Sequence, residues 1–111
     1  DGDPLASNSA WSQSHMDGNA LLKNCSVNAN TANGNEMAMR AYTCLGYVLG
    51  VVDFLASGSS RGFRACVPAN ADMTQIVDVV KSYIRDHPEN RHLIASTLAT
   101  EALAQAFPCG R

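Results

Sequence analysis

The segment that decides the fold runs from Glu36 to Ala56 and reads EMAMRAYTCLGYVLGVVDFLA. Its apolar residues recur at spacings of three and four, which is typical of one buried face of a helix. These residues are Met37, Ala41, Cys44, Leu45, Val48, Val52 and Leu55. The longest apolar run within it, from Ala41 to Ala56, is shorter than the roughly 20 residues that span a bilayer, and Asp53 interrupts this run. The segment therefore predicts a long core helix of a globular domain.

A short helix is predicted before this one, over residues 18–27. Asp17 precedes it and suits the N-cap position, because its carboxylate can accept hydrogen bonds from the first free N–H groups. Its apolar face comprises Leu21, Leu22 and Cys25. The following stretch, residues 28–35, is rich in asparagine and is predicted to be a loop.

A third helix is predicted to begin after Asp72, where Gln75 completes a capping box. It should end at Asp86 and His87, because Pro88 disfavours helical backbone in the residue before it. Its apolar face comprises Ile76, Val80, Tyr83 and Ile84. Between the second and third helices, residues 57–70 lack periodicity and form a predicted loop.

Pro88 is predicted to be the first residue of a fourth helix, where its missing N–H costs nothing. The inner face of this helix would comprise Leu93 or Ile94, Leu98, Ala102, Leu103, Ala106 and Phe107. Pro108 ends it. No strand-like alternation occurs in the sequence, so the predicted fold class is all-α, a compact four-helix domain.

Cysteine spacing indicates the compartment. The chain has 111 residues and four cysteines, Cys25, Cys44, Cys66 and Cys109, none of them in a CxxC pair. Zinc sites and redox sites usually need such close pairs. A dispersed, even set in one small domain predicts two structural disulfides and an oxidising compartment such as a periplasm. The residues alone leave all three pairings open.

Several function classes find little support in the sequence. The formal net charge is −2 and there is no basic tract, which argues against nucleic acid as a partner. His87 and His92 are five apart and so do not share a helix face as a metal pair would. Asp53 is the one carboxylate within an apolar helix, and we expect it to face water or to pair with an arginine of the next loop. We predict no catalytic set, no metal and no cofactor.

Binding is the favoured class, and two surfaces are candidates. The first lies on the loop after the long helix and offers arginine and aromatic side chains, which are enriched at interface anchors. Its residues are Ser57, Ser59, Ser60, Arg61, Phe63 and Arg64. The second is the turn between the third and fourth helices, with His87, Glu89 and Arg91. Helix capping alone would explain most residues of this turn.

Gly46 and Gly50 lie four residues apart on one side of the long helix. Each glycine costs about 1 kcal/mol relative to alanine in a helix interior. Close approach of another backbone would compensate for this cost. The expected approach is a helix crossing within the domain, and the alternative is the seam of a dimer.

Residues 1–16 are polar, small and aperiodic. The dipeptide His15-Met16 matches the product of a common cloning site, so we interpret this stretch as a vector-derived leader. The folded domain is then expected to span residues 17–111.

Five stretches of the chain resemble the Rap/Tai family of small secreted immunity proteins associated with type VI secretion. They are DGNALLKNC at 17–25, YTCLGYVLGVVDFL at 42–55, CVP at 66–68, IVDVVKSYIRDHPENRH at 76–92 and ALAQAFPC at 102–109. The resemblance implies a helical periplasmic protein, commonly a homodimer, that plugs the active site of a peptidoglycan amidase delivered by sibling cells. It covers nearly all of the sequence outside the suspected leader.

The resemblance also favours the pairings Cys25–Cys44 and Cys66–Cys109. Cys44 would then lie two turns inside the long helix, so either that helix starts later than Glu36 or the asparagine-rich loop folds back along it.

Two other functions are alternative hypotheses. One is a structural or interaction module of the cell envelope, and the other is a small hydrolase that uses Asp53 with His87 or His92.

Overall fold

A computed structural model of the protein describes residues 16–27, 33–57 and 64–109. Within them lie four α-helices: α1 at Gly18–Cys25, α2 at Gly34–Ala56, α3 at Met73–Asp86 and α4 at Ala95–Ala106. A 3₁₀ turn at Pro88–Asn90 separates α3 from α4. The described residues contain no strand, and a single antiparallel bridge joins Asp17 to Ile94. The all-α, four-helix prediction is confirmed.

Two aspartates start helices as their sequence context predicts. The Asp17 carboxylate accepts a hydrogen bond from the backbone N–H of Ala20 at 2.9 Å. The Asp72 carboxylate accepts one from the N–H of Gln75 at 2.8 Å. Each bond satisfies one of the N–H groups that the first turn of a helix leaves without a partner.

All four helices contribute to one core. Leu21, Val48, Val80 and Leu103, one from each helix, are completely inaccessible to solvent. Burying a side chain of this size stabilises the fold by about 1.5–3 kcal/mol relative to leaving it exposed. α2 meets the length and composition of a membrane-spanning helix, but five of its residues are buried within the domain. It is the core helix that its periodicity predicted.

The start of α4 corrects the prediction that Pro88 opens this helix. Pro88 opens the 3₁₀ turn instead, and the α-helix begins seven residues later, at Ala95. The intervening backbone is used for long-range bonds to the start of α1. The carbonyl of Arg91 accepts from the N–H of Asn19 at 2.9 Å, and that of Leu93 accepts from Gly18 at 3.0 Å. These carbonyls are therefore not available for a helix.

Side chains near that junction also depart from prediction. Leu93 and Ile94 are 40% and 48% exposed rather than part of the inner face. Ala95, Leu98 and Ala99 take that place, with Leu98 only 1% exposed.

Helices α1 and α2 differ at their ends from the predicted bounds. α1 ends at Cys25 rather than at residue 27, and α2 begins at Gly34, two residues earlier than predicted. Met37, expected in the buried stripe of α2, is 42% exposed.

Met16, assigned to the leader, packs against the core, and its carbonyl accepts from the N–H of Ala95 at 3.0 Å.

Both disulfides have the pairing that the family resemblance implied. Cys25 bonds to Cys44 with their Cα atoms 5.0 Å apart, and Cys66 bonds to Cys109 with a Cα separation of 4.9 Å. A later start of α2 is therefore not needed to bring Cys44 near Cys25. The end of α1 lies against the interior of α2 instead. Most of the asparagine-rich loop, residues 28–32, lies outside the described residues.

Candidate functional site

α2 presents a second apolar stripe on the side opposite its buried face. We name this stripe the outer face. Its apolar residues are Met39, Tyr42, Gly46, Leu49, Gly50 and Phe54, and Asp53 lies among them on the same side. Met39 and Tyr42 are 68% and 63% exposed, and Leu49 and Phe54 are about half exposed. Such a concentration of large apolar side chains on one exposed helix is typical of an interaction surface.

The glycines of the outer face have open space around them. A Cβ atom added at Gly46 or Gly50 would meet no atom within 4 Å. No part of the described chain approaches these residues, so the expected helix crossing within the domain is wrong. A contact outside the described domain remains the explanation to test.

Charge is sparse on the outer face. Asp53 is its one charged residue and is exposed. At the N-terminal end of α2, Glu36 and Arg40 form an exposed ion pair at 2.8 Å, and surface pairs of this kind contribute little to stability. The outer face therefore suits an apolar protein surface better than a charged ligand.

Sequence reasoning singled out the two glycines but missed the large residues beside them. The signal was present, because positions 39, 42, 46, 49, 50 and 54 repeat at helical spacing just as the buried stripe does. Apolar residues all around a helix predict a buried helix. Only the packing of α1, α3 and α4 decides which side of α2 remains exposed.

In the turn between α3 and α4, two predicted binding residues have structural partners. The Arg91 side chain donates through Nε to the carbonyl of Ile84 at 3.1 Å and through a terminal nitrogen to the carbonyl of Arg85. A ring nitrogen of His87 lies 2.7 Å from the carbonyl of Tyr83. Both residues thus cap the C-terminal end of α3, as the capping interpretation predicted.

A small polar cluster stands beside this cap. The rings of Tyr83 and His87 stack with their centroids 4.2 Å apart, and the Tyr83 hydroxyl donates to Glu101 of α4 at 2.9 Å. Burial, followed by this bond and the negative charges of Glu101 and Glu89, raises the pKa of Tyr83. Glu89 itself is exposed and is the member of this candidate set that remains most accessible.

The loop after α2 is described only at its two ends. Ser57 ends α2, and its hydroxyl donates to the carbonyl of Phe54 at 2.6 Å. Arg64 is exposed and stands two residues before the Cys66–Cys109 disulfide. Ser59, Ser60, Arg61 and Phe63 lie outside the described residues.

A groove of about 320 Å³ runs beside the Cys25–Cys44 disulfide, between α2 and α3. Its walls include Ala41, Leu45 and Val77, and Lys81 stands at its edge, 4.0 Å from the carboxylate of Asp78. Sequence periodicity gave no sign of it, because its walls come from separate helices that only the fold brings together.

The hydrolase alternative depends on Asp53 acting with His87 or His92. The described residues contain no cluster of three or more His, Cys, Asp or Glu side chains that could hold a metal ion. Asp53 has no bond with His87 or His92 among the described residues. The arrangement that the hydrolase alternative needs is therefore not formed there.

The four helices, the two disulfides and the outer face all lie within the part of the chain that resembles known proteins. The sequence profile described as Rap1a immunity proteins matches residues 17–109. The chain belongs to the Rap1a immunity protein family. No curated protein and no solved structure matches it significantly.

Membership in the Rap1a family implies an immunity function with a cognate effector as the partner. Proteins of this family are generally not enzymes. The two disulfides are consistent with an extracytoplasmic location. The matched residues begin at the Asp17 N-cap and end at Cys109, so all four cysteines lie within the matched range.

Proposed function

We propose that this Rap1a family member is a periplasmic immunity protein that sterically inhibits a peptidoglycan amidase effector of type VI secretion. The family match over residues 17–109 carries the proposal. The Rap/Tai resemblance of the sequence motifs supports the amidase as the target. Two formed disulfides support the periplasm, since disulfides persist in oxidising compartments.

The effector-binding surface is proposed on the segment from Ser57 to Arg64. Its downstream end is tied by the Cys66–Cys109 disulfide, and a tethered segment loses less conformational entropy on binding. Arg64 is exposed at this end. Glu89 is a second contact candidate, whereas His87 and Arg91 already serve as caps of α3.

A homodimer through the outer face of α2 is the second part of the proposal. An antiparallel pairing centred near position 48 would set Gly46 against Gly50 of the second copy. Tyr42 would then face Phe54 of that copy, an aromatic pair worth about 0.5–1.5 kcal/mol beyond its buried area. The open space at both glycines supports this arrangement, because two helix backbones approach closely only where side chains are small.

A capture experiment followed by an activity assay tests whether the effector is an amidase that this protein inhibits. The protein, kept under non-reducing conditions, is used to capture periplasmic proteins, and the captured amidase is assayed on purified peptidoglycan. We expect the amidase to lose activity in the complex. Capture without inhibition, or full amidase activity at excess protein, contradicts the proposal.

Substitutions in the segment from Ser57 to Arg64 test whether this segment contacts the effector. Replacing Phe63 or Arg64 by Ala should each weaken effector binding by about 1 kcal/mol or more, with stability unchanged. Arg85→Ala is the matched control, because Arg85 is also an exposed arginine, with its side chain 58% accessible. Equal losses from Arg64→Ala and Arg85→Ala would place the contact elsewhere.

The dimer is tested separately by sedimentation. Leu49→Glu puts a charge on the outer face and should yield monomers. Leu93→Glu is the control, because Leu93 is 40% exposed, close to the 46% of Leu49, but lies outside α2. Identical sedimentation of both variants and the parent protein would remove the outer face as the dimer contact, without affecting the amidase proposal.

A further inference from the structure

Asn33 and Gly34 form the only Asn-Gly dipeptide in the chain. In such a dipeptide the backbone nitrogen of glycine can attack the side-chain amide carbon of asparagine. Glycine favours this attack because it has no Cβ to hinder the approach. A folded protein can prevent this reaction when hydrogen bonds or packing hold the glycine nitrogen and the asparagine side chain in place.

At this dipeptide the described structure holds neither group. Asn33 occupies the N-cap position of α2, yet its side chain makes no capping hydrogen bond. The N–H of Gly34 has no acceptor among the described residues, in keeping with the unpaired N–H groups of a first helical turn. Both residues are exposed, and a Cβ atom at Gly34 would meet nothing within 4 Å.

Asp17-Gly18, a dipeptide that can form the same ring, is held firmly. The Asp17 carboxylate is engaged by the N–H of Ala20 at 2.9 Å. The Gly18 nitrogen donates to the carbonyl of Leu93 at 3.0 Å, and Gly18 is buried. Among the described residues, the fold therefore holds both reacting groups at the start of α1 and neither of them at the start of α2.

We propose that Asn33 is a site of spontaneous modification, at which the folded protein converts asparagine to aspartate and isoaspartate. The Gly34 nitrogen forms a bond to the Asn33 amide carbon, and the side-chain nitrogen leaves as ammonia to give a cyclic imide. Water then adds to either carbonyl of the ring. One opening restores the normal backbone as aspartate, and the other lengthens it as isoaspartate.

The products act on α2 in different ways. Aspartate at position 33 places a negative charge at the N-terminus of a helix of 23 residues, where the helix dipole favours it. Isoaspartate adds a backbone atom at the point where the chain enters α2 with a left-handed Gly34, φ 81°. Either product makes the formal net charge one unit more negative than −2. This modification does not depend on the proposed amidase target.

The test is peptide mapping of the whole oxidised protein after incubation at neutral and mildly alkaline pH. Reduction and tryptic cleavage after Lys23 and Arg40 then isolate residues 24–40, which contain every asparagine of this region. A parallel sample is incubated reduced and unfolded in urea. Asn33→Gln is the control, since a longer side chain forms the ring poorly.

We expect acidic conversion at Asn33 alone among the asparagines of this peptide, faster at alkaline pH and at similar rates in the folded and unfolded samples. Isomerisation at Asp17 should appear only in the unfolded sample. In Asn33→Gln the one-unit charge shift should be absent from isoelectric focusing. Conversion of Asn33 only after unfolding, or none at all, would overturn the proposal.

Discussion

Arg91 holds the end of α3 through its side chain, and this makes it a stability residue. Arg91→Ala removes the bonds to the carbonyls of Ile84 and Arg85. Hydrogen bonds to charged groups contribute about 1.5–3 kcal/mol, and partial exposure lowers this, so we expect a loss of about 1–2 kcal/mol in the free energy of unfolding. Urea unfolding under non-reducing conditions measures it.

Arg85→Ala is the control for this prediction. Among the described residues, the Arg85 side chain pairs only with its exposed neighbour Asp86, at 3.4 Å, and removing such a pair should change stability by less than about 0.5 kcal/mol. If Arg91→Ala instead left stability intact and weakened effector binding, Arg91 would be a contact residue as the sequence first suggested.

Tyr83 gives the domain a dependence on alkaline pH. Burial and the bond to Glu101 raise its pKa above 10.0 in the folded protein, so the unfolded chain loses this proton first. The contribution of Tyr83 to stability is complete below about pH 10 and declines as pH rises through the folded pKa. Glu101→Gln should lower the pKa of Tyr83 in a spectroscopic tyrosinate titration, and Tyr83→Phe should remove that component. A titration unchanged by Glu101→Gln would contradict the assignment.

Helix starts and stops show which parts of the fold the sequence could predict. Asp17, Asp72 and the end of α3 were predictable because each depends on residues within a few positions. The start of α4 was not, since residues 91 and 93 bond to the start of α1, more than seventy positions away. Local propensity at Pro88 indicated a helix, and these long-range bonds overrode it.

The same difference between local sequence effects and long-range packing applies to the candidate site. Gly46 and Gly50 were visible as an unusual pair in the sequence, but their surroundings depend on packing. Capping was the expected role of the turn that contains Arg91, but the carbonyls that Arg91 binds were not predictable because its side chain reaches back six and seven residues. The cysteine pairing followed from the family resemblance, whereas the residues alone allowed three pairings.

Glycine replacements on α2 test how its outer face is used. Gly46→Ala and Gly50→Ala meet open space in the single chain, so each should raise the free energy of unfolding by about 1 kcal/mol through helix propensity. If the glycines form a dimer seam, the same variants should also weaken self-association. Unfolding is measured at concentrations where the protein is monomeric, and association by sedimentation.

Gly18→Ala provides the contrast within the same chain. A Cβ atom there would lie 2.5 Å from a methyl carbon of Leu98 and 2.8 Å from the carbonyl oxygen of Arg91. Overpacking of this kind costs about 1–3 kcal/mol. A stabilising effect of Gly18→Ala, or a destabilising one of Gly46→Ala in the monomer, would contradict the described packing of α1 and α2.

At the scale of the whole molecule, the two disulfides close loops of different length in different surroundings. They span 19 and 43 residues, which the chain-entropy account converts to about 3 and 4 kcal/mol. Cys25 and Cys44 are 5% and 2% exposed, whereas Cys66 is exposed. Either contribution is a large share of the 5–15 kcal/mol by which small domains are stable.

Loop length and burial of the sulfur atoms favour different disulfides, so their magnitudes decide which disulfide contributes more to stability. Loop length favours the Cys66–Cys109 bridge by about 1 kcal/mol. Replacing both buried sulfurs of Cys25 and Cys44 by Ala leaves a cavity in the core, which costs about 1 kcal/mol for each atom removed. We therefore expect the double variant Cys25→Ala/Cys44→Ala to lose more stability than Cys66→Ala/Cys109→Ala. Urea unfolding of both variants measures the difference, and the opposite order would mean that loop entropy outweighs core packing in this domain.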